Sequence, residues 1–425
     1  MSTILTRAYK TELEPNAAQR RKFIEHAHVA RAVYNWGLGR KIEEYKTTGK
    51  SPSAVDLHKE LVTLKHLPKE EGGMPWLKDV SKSTAQEALR ALDSAYKAFF
   101  ARCRAGVTRK GFPRFKSKHR GELKFRLAGS DAKTSTIQAC DGAIILPVIG
   151  RVKLKERGYI PQQRYVTCSI SERAGRWFVS VIVQVEVPDP SSKPNDAPLG
   201  VDVGVAKLAT LSDGTVFENP RALRAAERRL AHAQRNLNRK QKGSKNRAKA
   251  KQRLAELHYR VSCIRKDAIH KSTSSLIAKA PTSIGIESLN VKGMAKNRKL
   301  AKSVSDASMS EFLRQVRYKA LWAGIPVVEA DRWYPSTKTC SCCGVVQEMP
   351  LGERTFRCAA CGITIDRDSN AARNLRALAA GYAVDACGGD VSPSRTYVLE
   401  AAPSKQEFLG PSGTKETAVV DNARN

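Results

Sequence analysis

Three acidic residues stand far apart in the chain, each in a short apolar or turn-like context. They are Asp202 in Leu199-Gly-Val-Asp-Val-Gly-Val, Glu287 in Ile284-Gly-Ile-Glu-Ser-Leu-Asn and Asp368 in Asp366-Arg-Asp-Ser-Asn-Ala-Ala. Carboxylates brought together from separate segments repel one another unless a cation lies among them. Acids holding divalent metals against a phosphodiester hydrolyse it: one ion lowers the pKa of the attacking water, the other stabilises the leaving 3′ oxygen. Asp202, Glu287 and Asp368 are therefore candidate catalytic residues and candidate ligands of two Mg²⁺ ions, which implies a metal-dependent nuclease. Such chemistry needs no side-chain nucleophile. Each acid also has a plainer reading when taken alone. Asp202 suits a turn after a strand, Glu287 a pair with Lys292, and Asp366 and Asp368 the cap of a helix beginning at Ser369.

A second constellation lies between the last two acids. Cys340, Cys343, Cys358 and Cys361 form two C-x2-C pairs, with Gly344 and Gly362 directly after them. Four thiolates give the closed tetrahedral site of one structural Zn²⁺, and glycine lets the backbone tuck beneath the metal. A redox dithiol would need only one such pair. Cys342 is an alternative ligand; Cys343 is favoured because Gly344 follows it. The remaining cysteines, Cys103, Cys140, Cys168, Cys263 and Cys387, are scattered and read as buried thiols.

The elements that must carry these residues follow from the pattern. Residues 3–13 alternate like a strand ended by Pro15, and 16–104 read as several amphipathic helices broken near 49–52 and 71–75. Arg104 to Arg120 is a basic segment with no acidic residue. Short alternating runs between Glu122 and Val187 read as a small barrel or sandwich that the opening strand joins, which makes the helical stretch an insertion. Residues 188–198 read as a linker. Strands are then expected near 199–212 and 215–219 around Asp213-Gly214. Long helices follow over 221–266, with 16 Lys and Arg against Glu227 and Glu256. A strand at 284–287, a helix at 308–323, a strand at 325–330 and a helix at 369–380 stopped by Gly381 complete this part. The order strand-Asp, hairpin, strand-Glu, helix-Asp suits an RNase H-like sheet. The tail from about Ala386 has the composition of a disordered segment.

Composition agrees with a polyanionic partner. The 425 residues carry 74 Lys plus Arg against 41 Asp plus Glu, a formal net charge of +33. No apolar run reaches membrane-spanning or signal-peptide length, so a cytosolic protein with reduced thiols and no membrane partner is expected.

The motifs resemble those of the TnpB family, transposon-encoded RNA-guided DNA endonucleases related to type V CRISPR effectors. The likeness is most specific in Trp333-Tyr-Pro-Ser-Thr-Lys-Thr-Cys-Ser-Cys-Cys-Gly, Arg354-Thr-Phe-Arg-Cys-Ala-Ala-Cys-Gly and Asp366-Arg-Asp-Ser-Asn-Ala-Ala-Arg-Asn-Leu. It extends through Gly200-Val-Asp-Val-Gly-Val and Gly285-Ile-Glu-Ser-Leu-Asn, and more loosely Trp76-Leu and Pro113-Arg-Phe-Lys-Ser-Lys, to about residue 385. The extra Cys342 departs from the usual pattern.

The resemblance implies an α/β fold in which a RuvC (RNase H-like) nuclease domain with a zinc-ribbon insert follows a wedge-type β-barrel domain carrying a helical recognition insertion. The implied bounds are 1–13 and 121–195 for the wedge domain and 14–120 for the insertion. They are 196–339 and 363–385 for the nuclease domain, 340–362 for the zinc insert and 386–425 for the tail. It also implies a guide RNA from the transposon end, a double-stranded DNA target beside a short motif, and a monomeric ribonucleoprotein in the cytosol or nucleoid. Ser83, Gln86 and Lys110 are candidates for reading the motif. Arg114 and Lys116 in the basic segment, with Arg228, Arg235 and Arg239 on the basic helices, are candidates for gripping the heteroduplex. Two rivals share parts of this reading. A strand-transfer transposase uses the same acids without RNA, and an RNA-guided repressor binds DNA without cutting it.

Overall fold

Strand β1 (Ser2–Glu14) crosses to the far side of the chain's first half and pairs antiparallel with a strand more than 160 residues later, from Ser2 against Pro188 to Leu13 against Trp177. The computed structural model describes residues 2–118, 122–131, 133–188, 197–350 and 352–385. The tail from 386, and 189–196 of the expected linker, lie outside them. After β1 come α1 (Ala17–Thr48), α2 (Ala54–His66) and α3 (Lys82–Arg104). The chain then returns through β2 (Lys124–Ala128), β3 (Gln138–Cys140), β4 (Ala143–Leu146), β5 (Gly150–Leu154), β6 (Thr167–Arg173) and β7 (Arg176–Pro188).

These strands form one antiparallel sheet in the order β2-β6-β7-β1-β5-β4-β3. Alternate residues such as Ile144, Val152, Ile170, Val179 and Val181 point into its core, and Phe23 of α1 inserts among them, 4.9 Å from Trp177. The three helices bury their own core around Leu38, Leu57, Leu89 and Leu92.

The second half begins with β8 (Leu199–Asp202), β9 (Lys207–Leu211) and β10 (Val216–Glu218), then α4 (Ala222–Asn238) and α5 (Lys245–Ala278). It continues with β11 (Ile284–Glu287), α6 (Val291–Met294), α7 (Ala301–Ala307), α8 (Met309–Trp322) and β12 (Val327–Ala330). A small hairpin, β13 (Thr355–Arg357) with β14 (Thr364–Asp366), leads directly into α9 (Arg367–Asp385).

The main sheet here has the order β10-β9-β8-β11-β12. The first three strands are antiparallel neighbours, whereas β8, β11 and β12 run parallel. Parallel neighbours need long crossovers. The pair α4–α5 supplies the first and α6–α8 the second.

Four local expectations are corrected. The run 199–212 is two strands, because the chain turns at 203–206 immediately after Asp202. Helix α5 does not end near 266; Ile269, Thr273 and Leu276 extend its buried face through a stretch whose Ser and Thr weaken the pattern. Of the scattered cysteines read as buried, Cys168 is buried, but Cys103 and Cys140 are half-buried and Cys263 is exposed. Helix α9 starts at Arg367 and runs through Gly381. That glycine lacks the left-handed conformation of a helix stop, and a mid-helix glycine costs only about 1 kcal/mol.

Candidate active site

The site begins with two glycines. In the parallel ladder Gly200 pairs with Gly285 and Val201 with Ile286, so the next residues, Asp202 and Glu287, stand side by side where β8 and β11 end. Side chains two apart share a face of a strand, and the glycine face of both strands is covered by α9. A Cβ on Gly200 would lie 1.9 Å from the Ala372 carbonyl oxygen, and one on Gly285 2.1 Å from that of Leu375. Only glycine lets the helix backbone lie this close to the sheet. Asp368 is one helical turn before Ala372, while Asp202 is two strand residues beyond Gly200. Both displacements run along the same face, and they bring the third acid over the first two.

The electrostatics carry the signature of that convergence. Burial pushes the Asp202 carboxyl well above the ordinary carboxylate range, and the charges of Glu287 and then Asp368 push it further, against the opposing pull of Arg367. Burial also raises Glu287, partly offset by the hydroxyl of Ser336, which donates to its Oε1. Asp368 faces two guanidiniums, Arg367 at 3.7 Å and Arg354 at 3.9 Å.

Asp366 has a different job. Its Oδ1 accepts the Ser369 amide at 3.0 Å, capping α9, and its Oδ2 lies 3.5 Å from Lys207. Although burial pulls its pKa up, the Ser369 amide and Lys207 hold it below the usual carboxylate value. The capping role weighed for both acids thus falls to Asp366 and leaves Asp368 to the cluster.

Sequence reasoning missed the residues that fix this arrangement. Ser336 is buried on the loop after β12. Asn374 of α9 donates to the carbonyls of Ser336 (2.8 Å) and Thr339 (2.7 Å), and Asn370 donates to Thr339 (2.7 Å) while accepting the Ser341 amide (2.9 Å). Both asparagines are buried, so one face of α9 clamps the loop that leads into the first cysteine pair. The repeated Asn-x3-Asn spacing in Ser369-Asn-Ala-Ala-Arg-Asn was the available signal, since residues four apart share a helix face.

The thiols of Cys340, Cys343, Cys358 and Cys361 lie within 4.8 Å of one another, the one group of potential ligands gathered so tightly among the described residues. Each pair folds alike. The Gly344 amide donates to the Cys340 carbonyl and the Gly362 amide to that of Cys358, both at 3.0 Å, with φ of +78° and +74°. The Cys342 amide reaches the Cys340 sulfur and the Cys361 amide the Cys358 sulfur at 3.5 Å. The Cys361 amide thereby draws the Cys358 thiol down to about 6. Cys342 is exposed and outside the cluster. Four soft ligands in this closed arrangement fit zinc, with no position left open for chemistry.

The candidate nucleic-acid contacts divide. Arg228, Arg235 and Arg239 are exposed and, at spacings of seven and four, form one stripe along α4. Lys110 and Arg114 are exposed, and Gln86 is half-buried. Lys116 places its ammonium 3.6 Å from the centre of the Tyr34 ring, and desolvation lowers its pKa to about 8. Ser83 is buried, its hydroxyl 3.0 Å from that of Ser81, which leaves it no face toward a base. That candidate is withdrawn.

An α/β protein with a mixed five-stranded sheet, three acids gathered at its strand ends and a four-thiol knuckle beside them is the class these features define. Family models match residues 180–298 (“Probable transposase”), 310–375 (“Cas12f1-like, TNB domain”) and 1–50 (“Helix-turn-helix domain”). In the last segment the fold is β1 and the single helix α1, not two helices joined by a turn. A relative from Streptomyces pristinaespiralis, named as a candidate RNA-guided DNA endonuclease, is 36% identical over 92% of both chains. One from Escherichia coli K12, similarly named, is 33% identical over 94% of this chain and 96% of its own. A solved complex of Cas12f1 with single-guide RNA and target DNA aligns at a TM-score of 0.49 with 13% identity, over 88% of this chain and 99% of that one. On the strength of the sequence relatives, the chain belongs to the TnpB family.

Proposed function

We propose that this protein is a transposon-encoded, RNA-guided DNA endonuclease whose cutting centre is Asp202, Glu287 and Asp368. The observation that carries the centre is the convergence of the three acids: two on adjacent parallel strands, the third delivered by a helix that two glycines allow to lie against the sheet. The strand order, with three antiparallel and three parallel members sharing β8, supports an RNase H-like (RuvC) assignment for 196–339 and 363–385. The seven-stranded sheet supports a wedge-type domain from 1–13 and 121–195, with α1–α3 (14–120) as the recognition insertion and 340–362 as the zinc insert.

The donor set fits the cations it would hold. Carboxylate oxygens suit Mg²⁺, and the mutual repulsion of the acids favours a cation among them. Two such ions would activate a water and stabilise the leaving 3′ oxygen. The protein's own residues do the rest. Asp202 offers the most buried carboxylate, Ser336 orients that of Glu287, and the Asp366 cap with the Asn370 and Asn374 clamp fixes the angle at which α9 presents Asp368. Lys110, Arg114 and the α4 stripe offer cations to phosphates, while guide pairing chooses the sequence.

The experiment is cleavage of supercoiled target DNA by the purified ribonucleoprotein with and without Mg²⁺. Cutting that needs both the RNA and the metal supports the reading. RNA-free joining of transposon ends would favour a transposase, and tight binding without cutting a repressor.

A further inference from the structure

We propose that Trp333 is the stacking platform for an unpaired base of the DNA strand held at the acid cluster. The inference rests on the nuclease reading above and names the ligand of a side chain that reading leaves without a role.

Trp333 is 81% exposed, the most exposed of the large apolar residues described, whereas the other four tryptophans are buried or half-buried. Its place in the fold is tightly bounded. Ala330 pairs in register with Glu287 across β12 and β11, and Ser336 donates its hydroxyl to that same carboxylate. The five residues between are a loop with both ends anchored at Glu287. Three residues of chain reach at most about 10 Å, so the backbone of Trp333 lies within that distance of Ala330 and of Ser336.

The loop is tied internally. The Trp333 amide donates to Asp331 Oδ1 (2.8 Å), the Tyr334 amide to the Asp331 carbonyl (3.0 Å) and the Ser336 amide to the Tyr334 carbonyl (2.9 Å). Arg332 holds its guanidinium 5.2 Å from the centre of the Trp333 ring. An indole presented to solvent on a braced loop, flanked by a cation and beside an acid cluster, matches the aromatic-plus-cation pattern that binds single strands. A strand whose phosphate reaches Glu287 comes within a few nucleotides of this loop.

The test uses the full ribonucleoprotein carrying Asp202→Ala, so that bound DNA stays intact, and target strands with 2-aminopurine moved one nucleotide at a time past the cut position. Stacking quenches this fluorescent base. With Trp333 present, one DNA position near the cut is quenched, and Trp333→Leu relieves it while keeping the zinc content and the bound RNA. Trp333→Phe keeps much of the quenching. Release of the strand is about tenfold faster in Trp333→Leu, within the range for one stacked base, and an abasic site at that position removes the difference.

Quenching that no Trp333 substitution changes, or that Trp333 produces only with 2-aminopurine in the RNA, overturns the proposal. Cleavage by the protein with Asp202 intact is scored separately. If it cuts and Trp333 is silent, only the platform fails; if it does not cut, the nuclease reading fails.

Discussion

Asp202 is hard to ionise because burial and then two neighbouring carboxylates oppose its charge. A proton therefore competes with any cation for this site. Metal binding must displace that proton, so affinity rises with pH. The Mg²⁺ concentration giving half-maximal cutting should accordingly decrease as the pH is raised above the ordinary carboxylate range; a flat response would place the ion elsewhere. Replacing Asp202, Glu287 or Asp368 by Ala should reduce cutting by roughly a hundredfold or more while RNA and target remain bound. Asp366→Ala should cost about 1 kcal/mol of stability through removal of the helix cap and only a modest part of the rate. Equal loss at Asp366 together with a surviving Asp368 variant would reverse their roles. The acids were readable because each sits at a strand or helix boundary with a recurring glycine or asparagine nearby. The partners of Ser336, Asn370 and Asn374 were not, since what a hydroxyl or a side-chain amide bonds is fixed by the packing of distant segments; the Asn-x3-Asn spacing signalled only a shared helix face.

At the scale of elements, the close approach of α9 to β8 and β11 decides whether the cluster forms. Gly200→Ala or Gly285→Ala puts a methyl within 2.1 Å of a helix carbonyl. Either should lower the melting temperature through an overpacking cost of about 1–3 kcal/mol or more and reduce cutting by displacing Asp368. A wild-type melting curve and rate would refute this docking. The knuckle makes a second element-level prediction. The protein should hold one zinc per chain; Cys358→Ser should lose it along with soluble protein, and Cys342→Ser should lose neither. Helix existence, the hairpin turn and the thiol spacing could be read from local pattern. Boundaries could not: α5 outlasts its sequence signal because tertiary burial of Leu276 rewards further turns, and α9 runs through Gly381 because that glycine does not take the left-handed conformation that ends a helix. The break after Asp202 was hidden because 199–212 is apolar enough to read as one strand.

Across the whole molecule, the charge of +33 has a direction: an exposed guanidinium stripe on α4 and an acid-free segment after α3. Guide binding should weaken steeply with salt. Replacing Arg228, Arg235 and Arg239 together by Gln should flatten the salt dependence by about one unit of slope for each phosphate that is no longer neutralised. Light scattering of the complex should give one chain per RNA. No helix among the described residues is long and apolar enough to cross a membrane. Charge and motif order made a nucleic-acid enzyme legible at this scale. The arrangement of sheets was less so: the opening strand was expected to join the later ones, but no local signal marks β7 as its long partner or sets the order β2-β6-β7-β1-β5-β4-β3. RNA guidance is tested most directly by purifying the protein with its RNA, replacing the variable 3′ end of that RNA, and mapping the cuts in a library of DNA duplexes with Mg²⁺ present. The cut should move to the DNA matching the new end, beside an unchanged short motif, and disappear in Asp202→Ala. Cuts that stay where they were, or that persist without the RNA, would contradict RNA-guided cleavage by this protein.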